Sequence, residues 1–162
     1  MAGTSPAMTG VGELGAFVRR EARLIDEQRW EEWFSLFAED GVYWVPLTPG
    51  QTDPLGHNSL AYEDSLLLRL RVERLRERPF SQRPPSRCQH VLQAPEVEGV
   101  ADGLHVVRTA FFYAEVQGDA QQVHAGVAWH RLRETGEGLR IVQKRVDLLG
   151  SETALVSLQL FL

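Results

Sequence analysis

A chain of 162 residues, 43% hydrophobic and 24% charged, has globular proportions and is long enough to enclose a core without metal or disulfide staples. Its formal charge of -5 argues against a general nucleic-acid binder, and no window approaches the roughly 18 consecutive apolar residues of a membrane span. Cys88 is the only cysteine, which excludes an intrachain disulfide and an iron–sulfur cluster held by this chain alone, because even the Rieske type takes two cysteines and two histidines.

The opening MAGTSPAMTG has neither a basic nor an apolar signal region, so residues 1–10 read as a flexible polar leader and the cytoplasm is the expected compartment. Over residues 11–28, Leu14, Phe17, Val18, Ala22 and Ile25 recur at spacings of three and four, which predicts an amphipathic helix. A second helix is expected over 30–38, with Trp30, Trp33, Phe34 and Phe37 on one stripe and Asp40-Gly41 as its stop. Residues 42–45 form a short β-branched and aromatic run that Pro46 ends, and 47–57 is a loop rich in Pro, Gly, Thr and Asp. A brief strand fits 58–63. Asp64 or Ser65 then caps a third helix reaching about residue 78, with Leu68, Val72 and Leu75 on its apolar face and arginines over much of the rest.

Beyond Pro84-Pro85 the pattern becomes strand-like. Strands are expected over 88–97, 104–116, 122–132 and 139–148, separated by turns such as Gly118-Asp119 and Gly136-Glu137-Gly138. Alternation is clearest in Val123, Ala125, Val127 and Trp129. Helices first and a mainly antiparallel run of strands afterwards describe an α+β fold, with the N-terminal helices packed on one face of a curved sheet. The chain shows no internal repeat and no second domain.

Candidate chemistry is sparse. Of the five histidines, His57, His90, His105, His124 and His130, only His124 and His130 share a strand face, and six residues at about 3.3 Å each hold them roughly 20 Å apart. That is too far for one metal ion, so the ordinary reading of hydrogen-bonded or surface histidines is preferred for all five. No nucleophile elbow, phosphate-binding loop or dinucleotide fingerprint occurs, and Cys88 reads as a small strand hydrophobe. Arg69, Arg71, Arg74, Arg76, Arg78, Arg83 and Arg87 form an unusual cluster for an acidic chain. A solvated helix face with Glu73 and Glu77 as local partners is its common explanation, and a surface for the carboxylates of another chain is the alternative. Trp30, Trp33, Trp44 and Trp129 are core or interface anchors rather than a base-stacking platform.

Five segments in order carry a resemblance: EARLIDEQRWEEWFSLFAEDGVYWVP from Glu21, HNSLAYEDSLLLRLRVERL from His57, PPSRCQHVL from Pro84, KRVDLL from Lys144 and ALVSLQLFL from Ala154. Together they resemble the small (beta) subunit of bacterial aromatic-ring-hydroxylating dioxygenases over most of 21–162. The resemblance implies a cone-like NTF2-like (cystatin-like) domain over 11–162. It also implies a large (alpha) subunit as partner, commonly as α3β3, with the Rieske [2Fe-2S] cluster and non-haem Fe(II) both in that partner and no cofactor, metal or catalytic residue here. A trimer of small subunits is a further implied association. The role implied is that of a structural subunit in aromatic hydrocarbon catabolism, with Trp44, Arg74, Arg78, Pro85, Arg87 and Arg145 as candidate interface residues. The chain departs from the family at Cys88-Gln89 and in the Val-Leu-Gln-Ala-Pro run after His90, where interface contacts are expected to differ. A stand-alone isomerase or dehydratase of the same fold is the alternative, with Tyr43, Tyr62, His90 and Asp147 as its polar residues; a small-ligand-binding module is a third.

Overall fold

A computed structural model describes residues 9–77, 83–153 and 158–162. Helix α1 (Val11–Asp26) turns its periodic stripe inward, burying Leu14, Val18, Ala22 and Ile25, with Glu21 among them. It ends two residues before the expected position. Gln28 adopts a left-handed φ of 55°, and the bonds Gln28 N→Ile25 O and Arg29 N→Leu24 O close a Schellman cap. Glycine is the usual occupant of that position, so its absence hid the stop.

Helix α2 (Trp30–Ser35) is shorter than the expected 30–38, because the chain has already entered strand β1 (Phe37–Pro46) at Phe37. Asp40-Gly41 is therefore not a helix stop. The pairing of β1 shifts register between Phe37 and Val42, and a Cβ on Gly41 would lie 2.6 Å from the Ile141 carbonyl oxygen. Glycine here permits the close approach of two backbones at a bulge. Strand β2 (Ser59–Glu63) leads to α3 (Ser65–Arg76), where Asp64 Oδ1 accepts from Leu67 N at 3.0 Å, an N-cap worth about 1 kcal/mol. Leu68 and Val72 carry the buried face of α3.

The expected strand over 88–97 is two strands, β3 (Ser86–Leu92) and β4 (Glu96–Ala101). Pro95, which lacks an N–H for the ladder, lies in the break. Both pieces pair with β5 (Leu104–Gln117), which continues through β6 (Ala120–Thr135) and β7 (Gly138–Leu148) as a long antiparallel meander. The strand order is β2-β1-β7-β6-β5-β3, and β1 lies parallel to β7, so the sheet is mainly antiparallel as expected.

One face of this sheet packs on the helices through a single hydrophobic cluster. Its centre is aromatic, with Trp33 at 4.1 Å from Phe161 and 5.0 Å from Phe37 between ring centroids, and Tyr43 edge-on to Phe161 at 5.4 Å. Phe161 belongs to the segment 158–162, which enters the mouth of the cone and is anchored there: Gln159 N and Leu160 N donate to Glu115, Leu162 N donates to Tyr43 Oη, and Arg71 donates to the Leu160 carbonyl. The alternation in β6 marks the other face. His124, Gly126, Ala128, His130 and Leu132 point inward, while Val123 on the opposite set is 58% exposed.

Candidate functional site

Two places concentrate side chains that burial of apolar surface alone does not explain: the inner chamber of the cone and the outer face of the sheet.

Inside, α1 and β7 bring an ion pair into the core. Glu21 Oε1 accepts from Lys144 Nζ and from Trp33 Nε1, each at 2.7 Å, and Lys144 also donates to the main-chain oxygen of Leu162. Glu21 Oε2 lies 3.4 Å from His130 Nε2. Burial opposes ionisation of Glu21, but the Lys144 ammonium and the His130 contact outweigh it and hold the carboxyl far below its ordinary range. Burial pushes His130 down, so its ring is neutral. Beside this group, His90 Nδ1 meets Asp26 Oδ1 at 2.6 Å, and Asp26 Oδ2 accepts from His90 N and Gln89 Nε2 at 3.0 Å. Burial together with Asp26 pushes the Cys88 thiol up to about 12, so it is not a nucleophile. The chamber between the two histidines has a volume of only about 10 Å³. Small-molecule sites take about 300–1,000 Å³.

The residues that an isomerase or dehydratase of this fold would use do not converge. Tyr43 points inward, where burial raises its hydroxyl to about 12 and Leu162 N uses it as an acceptor. His90 is inward and held by Asp26, whereas Tyr62 and Asp147 lie on the outer face, against Trp44 and Arg145 respectively.

The outer face carries a cross-strand row that runs through six strands. Tyr62, Trp44, Arg145, Trp129, Arg108 and Glu96 are each paired to the next by strand register. Trp44 sits edge-on to Tyr62 at 6.3 Å, the Arg145 guanidinium lies 4.5 Å over Trp44, and Arg108 lies 5.9 Å over Trp129 and 3.7 Å from Glu96. Trp44 Nε1 also donates to Ser59 Oγ at 2.9 Å. Next to this row Val91, Phe112, Val123 and Leu149 are exposed, and a shallow groove of about 520 Å³ lined by Val91, Phe112 and Leu149 is floored by Ala110, Ala125 and Val127. Contiguous exposed apolar surface of this kind marks an interaction face.

The ring hydroxylating beta subunit family matches residues 20–153. This chain belongs to that family. It is 30% identical over 139 residues to the 2-halobenzoate 1,2-dioxygenase small subunit of Burkholderia cepacia, covering 82% of this chain and 84% of that one. Its fold superposes on the beta subunit of the benzoate 1,2-dioxygenase from Burkholderia mallei ATCC 23344 with a TM-score of 0.75 at 25% identity, covering 94% of this chain and 98% of that one. An NTF2-like protein with a cystatin-like fold from Novosphingobium aromaticivorans aligns with a TM-score of 0.55 at 19% identity, over 88% and 92% of the two chains, a likeness of fold. The expected NTF2-like architecture is thereby established.

Within this beta-subunit chain the candidate interface residues fall in two regions. Trp44 and Arg145 are neighbours in the outer row, and Trp44 is only 2% exposed because Arg145 and Tyr62 cover it. Arg74, Pro85 and Arg87 are exposed at the end of α3 and along β3, and neither arginine makes an ion pair among the described residues. Arg78 lies outside the described residues. The rest of the arginine cluster is largely spent within the chain. Arg69 and Arg76 both bind Glu31, and Arg71 binds Glu63 while stacking 4.0 Å over Phe161. These partners come from α2 and β2, not from Glu73 and Glu77 on the same helix.

Sequence reasoning missed the Glu21–Lys144–His130 group and the Asp26–His90 pair. One signal was present: Glu21 falls on the apolar stripe of α1, three residues after Val18 and four before Ile25, and a charge there needs a buried partner. Among the described residues no cluster of three or more His, Cys, Asp or Glu side chains is placed to hold a metal ion.

Proposed function

We propose that this chain is the structural small subunit of the terminal oxygenase component of an aromatic-ring-hydroxylating dioxygenase, and that residues 11–162 form one domain that docks beside a large alpha subunit in an α3β3 assembly in the bacterial cytoplasm. The Rieske cluster and mononuclear iron that dihydroxylate the aromatic ring belong to the large subunit. The observation that carries this reading is the contrast between an inner chamber of about 10 Å³ beside His90 and His130 and an outer sheet face that leaves Val91, Phe112, Val123 and Leu149 in solvent. An aromatic ring has no room in the first, and an unpaired apolar face is what a subunit offers its neighbours. Arg145 takes part in that outer contact with Trp44 supporting it from beneath, while Arg74, Pro85 and Arg87 supply a second, charged contact for carboxylates of the adjoining subunit.

Co-expression with a Rieske-containing large subunit tests the assignment. The two chains are expected to elute as one complex, with all iron and all turnover assigned to preparations that contain the large subunit. Ring oxidation or isomerisation by the purified small chain alone, or its elution apart from the large subunit, overturns it.

A further inference from the structure

Four buried polar atoms without a well-formed hydrogen bond gather in one place. His90 Nε2, Thr109 Oγ1 and both ring nitrogens of His130 are buried without a well-formed hydrogen bond, and all three side chains line the same chamber, with Lys144 and Glu21 in its wall. Burying such groups unsatisfied is costly, and satisfying them is the usual work of an internal water. We propose that this chamber is a specific site for a single structural water molecule that joins Thr109, His90, His130 and Lys144.

The stoichiometry fits water in particular. The Asp26 carboxylate faces His90 Nδ1 at 2.6 Å, which leaves Nε2 as the ring nitrogen for the chamber. His130 Nε2 faces the Glu21 carboxylate at 3.4 Å, which assigns the ring hydrogen to that nitrogen and leaves Nδ1 as an acceptor. Lys144 commits two of its three ammonium hydrogens, to Glu21 and Leu162, and the third is left over. The Thr109 hydroxyl supplies the other donor. A water molecule both donates and accepts, so one can serve His130 Nδ1, His90 Nε2, the Thr109 hydroxyl and the Lys144 ammonium together.

The volume of about 10 Å³ matches a single water and rejects any organic ligand. A divalent cation is disfavoured by chemistry. Among the described residues Glu21 is the one carboxylate side chain in the chamber wall and already carries Lys144 and Trp33 on Oε1, so an ion there would face the Lys144 ammonium. This places the water between two carboxylate–histidine pairs whose carboxylates come from α1, where it ties β3, β5, β6 and β7 together.

A crystal structure of the protein in its assembly, at a resolution that shows ordered solvent, tests this directly. One spherical peak within hydrogen-bonding distance of Thr109 Oγ1 and His90 Nε2, without anomalous scattering, is expected. An empty chamber, or a peak with the anomalous signal of a metal, overturns the proposal. Oxygen-17 relaxation dispersion on the folded chain gives a second reading: Thr109→Val should lose one long-lived water relative to wild type, and Thr109→Ser should retain it. An unchanged count in folded Thr109→Val overturns the proposal, and if that variant does not fold the wild-type density decides alone.

Discussion

The two faces of the sheet put polar and apolar residues in the reverse of the usual places. The inner face, where apolar side chains belong, encloses Glu21, Lys144, His130, His90 and Glu115, all nearly inaccessible or held by buried partners. The outer face, where polar side chains belong, presents Phe112, Val91, Val123 and a row of stacked tryptophan and arginine. The inversion has a physical reason on each side. Inside, each charge meets an opposite charge or a main-chain group fixed by secondary structure, so specificity of packing is obtained at the cost of desolvation. Outside, the apolar surface has no cover within the chain, and a partner subunit is what relieves it. Position in the pleat therefore says less about polarity than about which surface must be matched, the chain's own or another's.

The contrast breaks most severely if one member of the inner ion pair is removed. Lys144→Met leaves the Glu21 carboxylate buried without its counter-ion, and a loss of about 3–5 kcal/mol of unfolding free energy is expected by urea titration. The double variant Glu21→Leu/Lys144→Met should recover much of that loss. Equal destabilisation by the single and double variants would mean that packing, not charge, is what the pair supplies.

Acid sharpens the same contrast. His130 has its pKa lowered by burial, so the unfolded chain takes up a proton before the folded one does. Its contribution to stability is therefore complete above about pH 6.5 and is lost as pH falls below that value, by up to about 1.4 kcal/mol per pH unit. Glu21, held low in the fold, adds the same sign of dependence below its unfolded value near 4.5. Unfolding midpoints measured between pH 7 and pH 5 should fall for wild type and flatten for His130→Leu; an unchanged slope in that variant rules out His130 as the source.

These inner charges were only partly legible. The spacing of Leu14, Val18, Ala22 and Ile25 gives α1 directly, and the same stripe contains Glu21, but Lys144 lies 123 residues away and only the closed sheet brings it there. Asp26 and His90 are similarly separated by 64 residues. The α1 stop was hidden because Gln28 occupies a left-handed position that sequence rules reserve for glycine. On β6 the period of two was readable, but the face was not: Gly126 and Ala128 are inward because Phe111 and the Asp147 carbonyl crowd Gly126, which leaves the larger Val123, Val127 and Trp129 for the outer side. The family resemblance was legible because it rests on local segments, which need no knowledge of how distant strands meet.

On the outer face the expected effects pass from folding to assembly. Phe112→Asp adds a charge to an exposed position and should leave the unfolding midpoint of the chain almost unchanged, while weakening its association with the large or neighbouring small subunits at least about tenfold. Sedimentation of mixed subunits checks this, and intact assembly would remove Phe112 from the interface. Arg145→Ala uncovers Trp44 and should cost about 0.5–1 kcal/mol of stability through the lost stacking, with a further loss of assembly.

The smallest effect is expected where charges are most numerous. Glu31 bridges Arg69 and Arg76 at 2.9 and 2.8 Å, yet all three side chains are more than a third exposed, so solvent screening reduces what the bridge contributes. Glu31→Gln should therefore change stability by less than about 1 kcal/mol, and added salt should shrink the difference further. The same variant frees two arginines on α3, close to exposed Arg74, and so strengthens the positive surface offered to a carboxylate-bearing partner. If unfolding is barely altered while association with the large subunit tightens at low salt, α3 is a docking element as well as a support for the sheet. If association is unmoved, the cluster serves only to clamp α3 against α2.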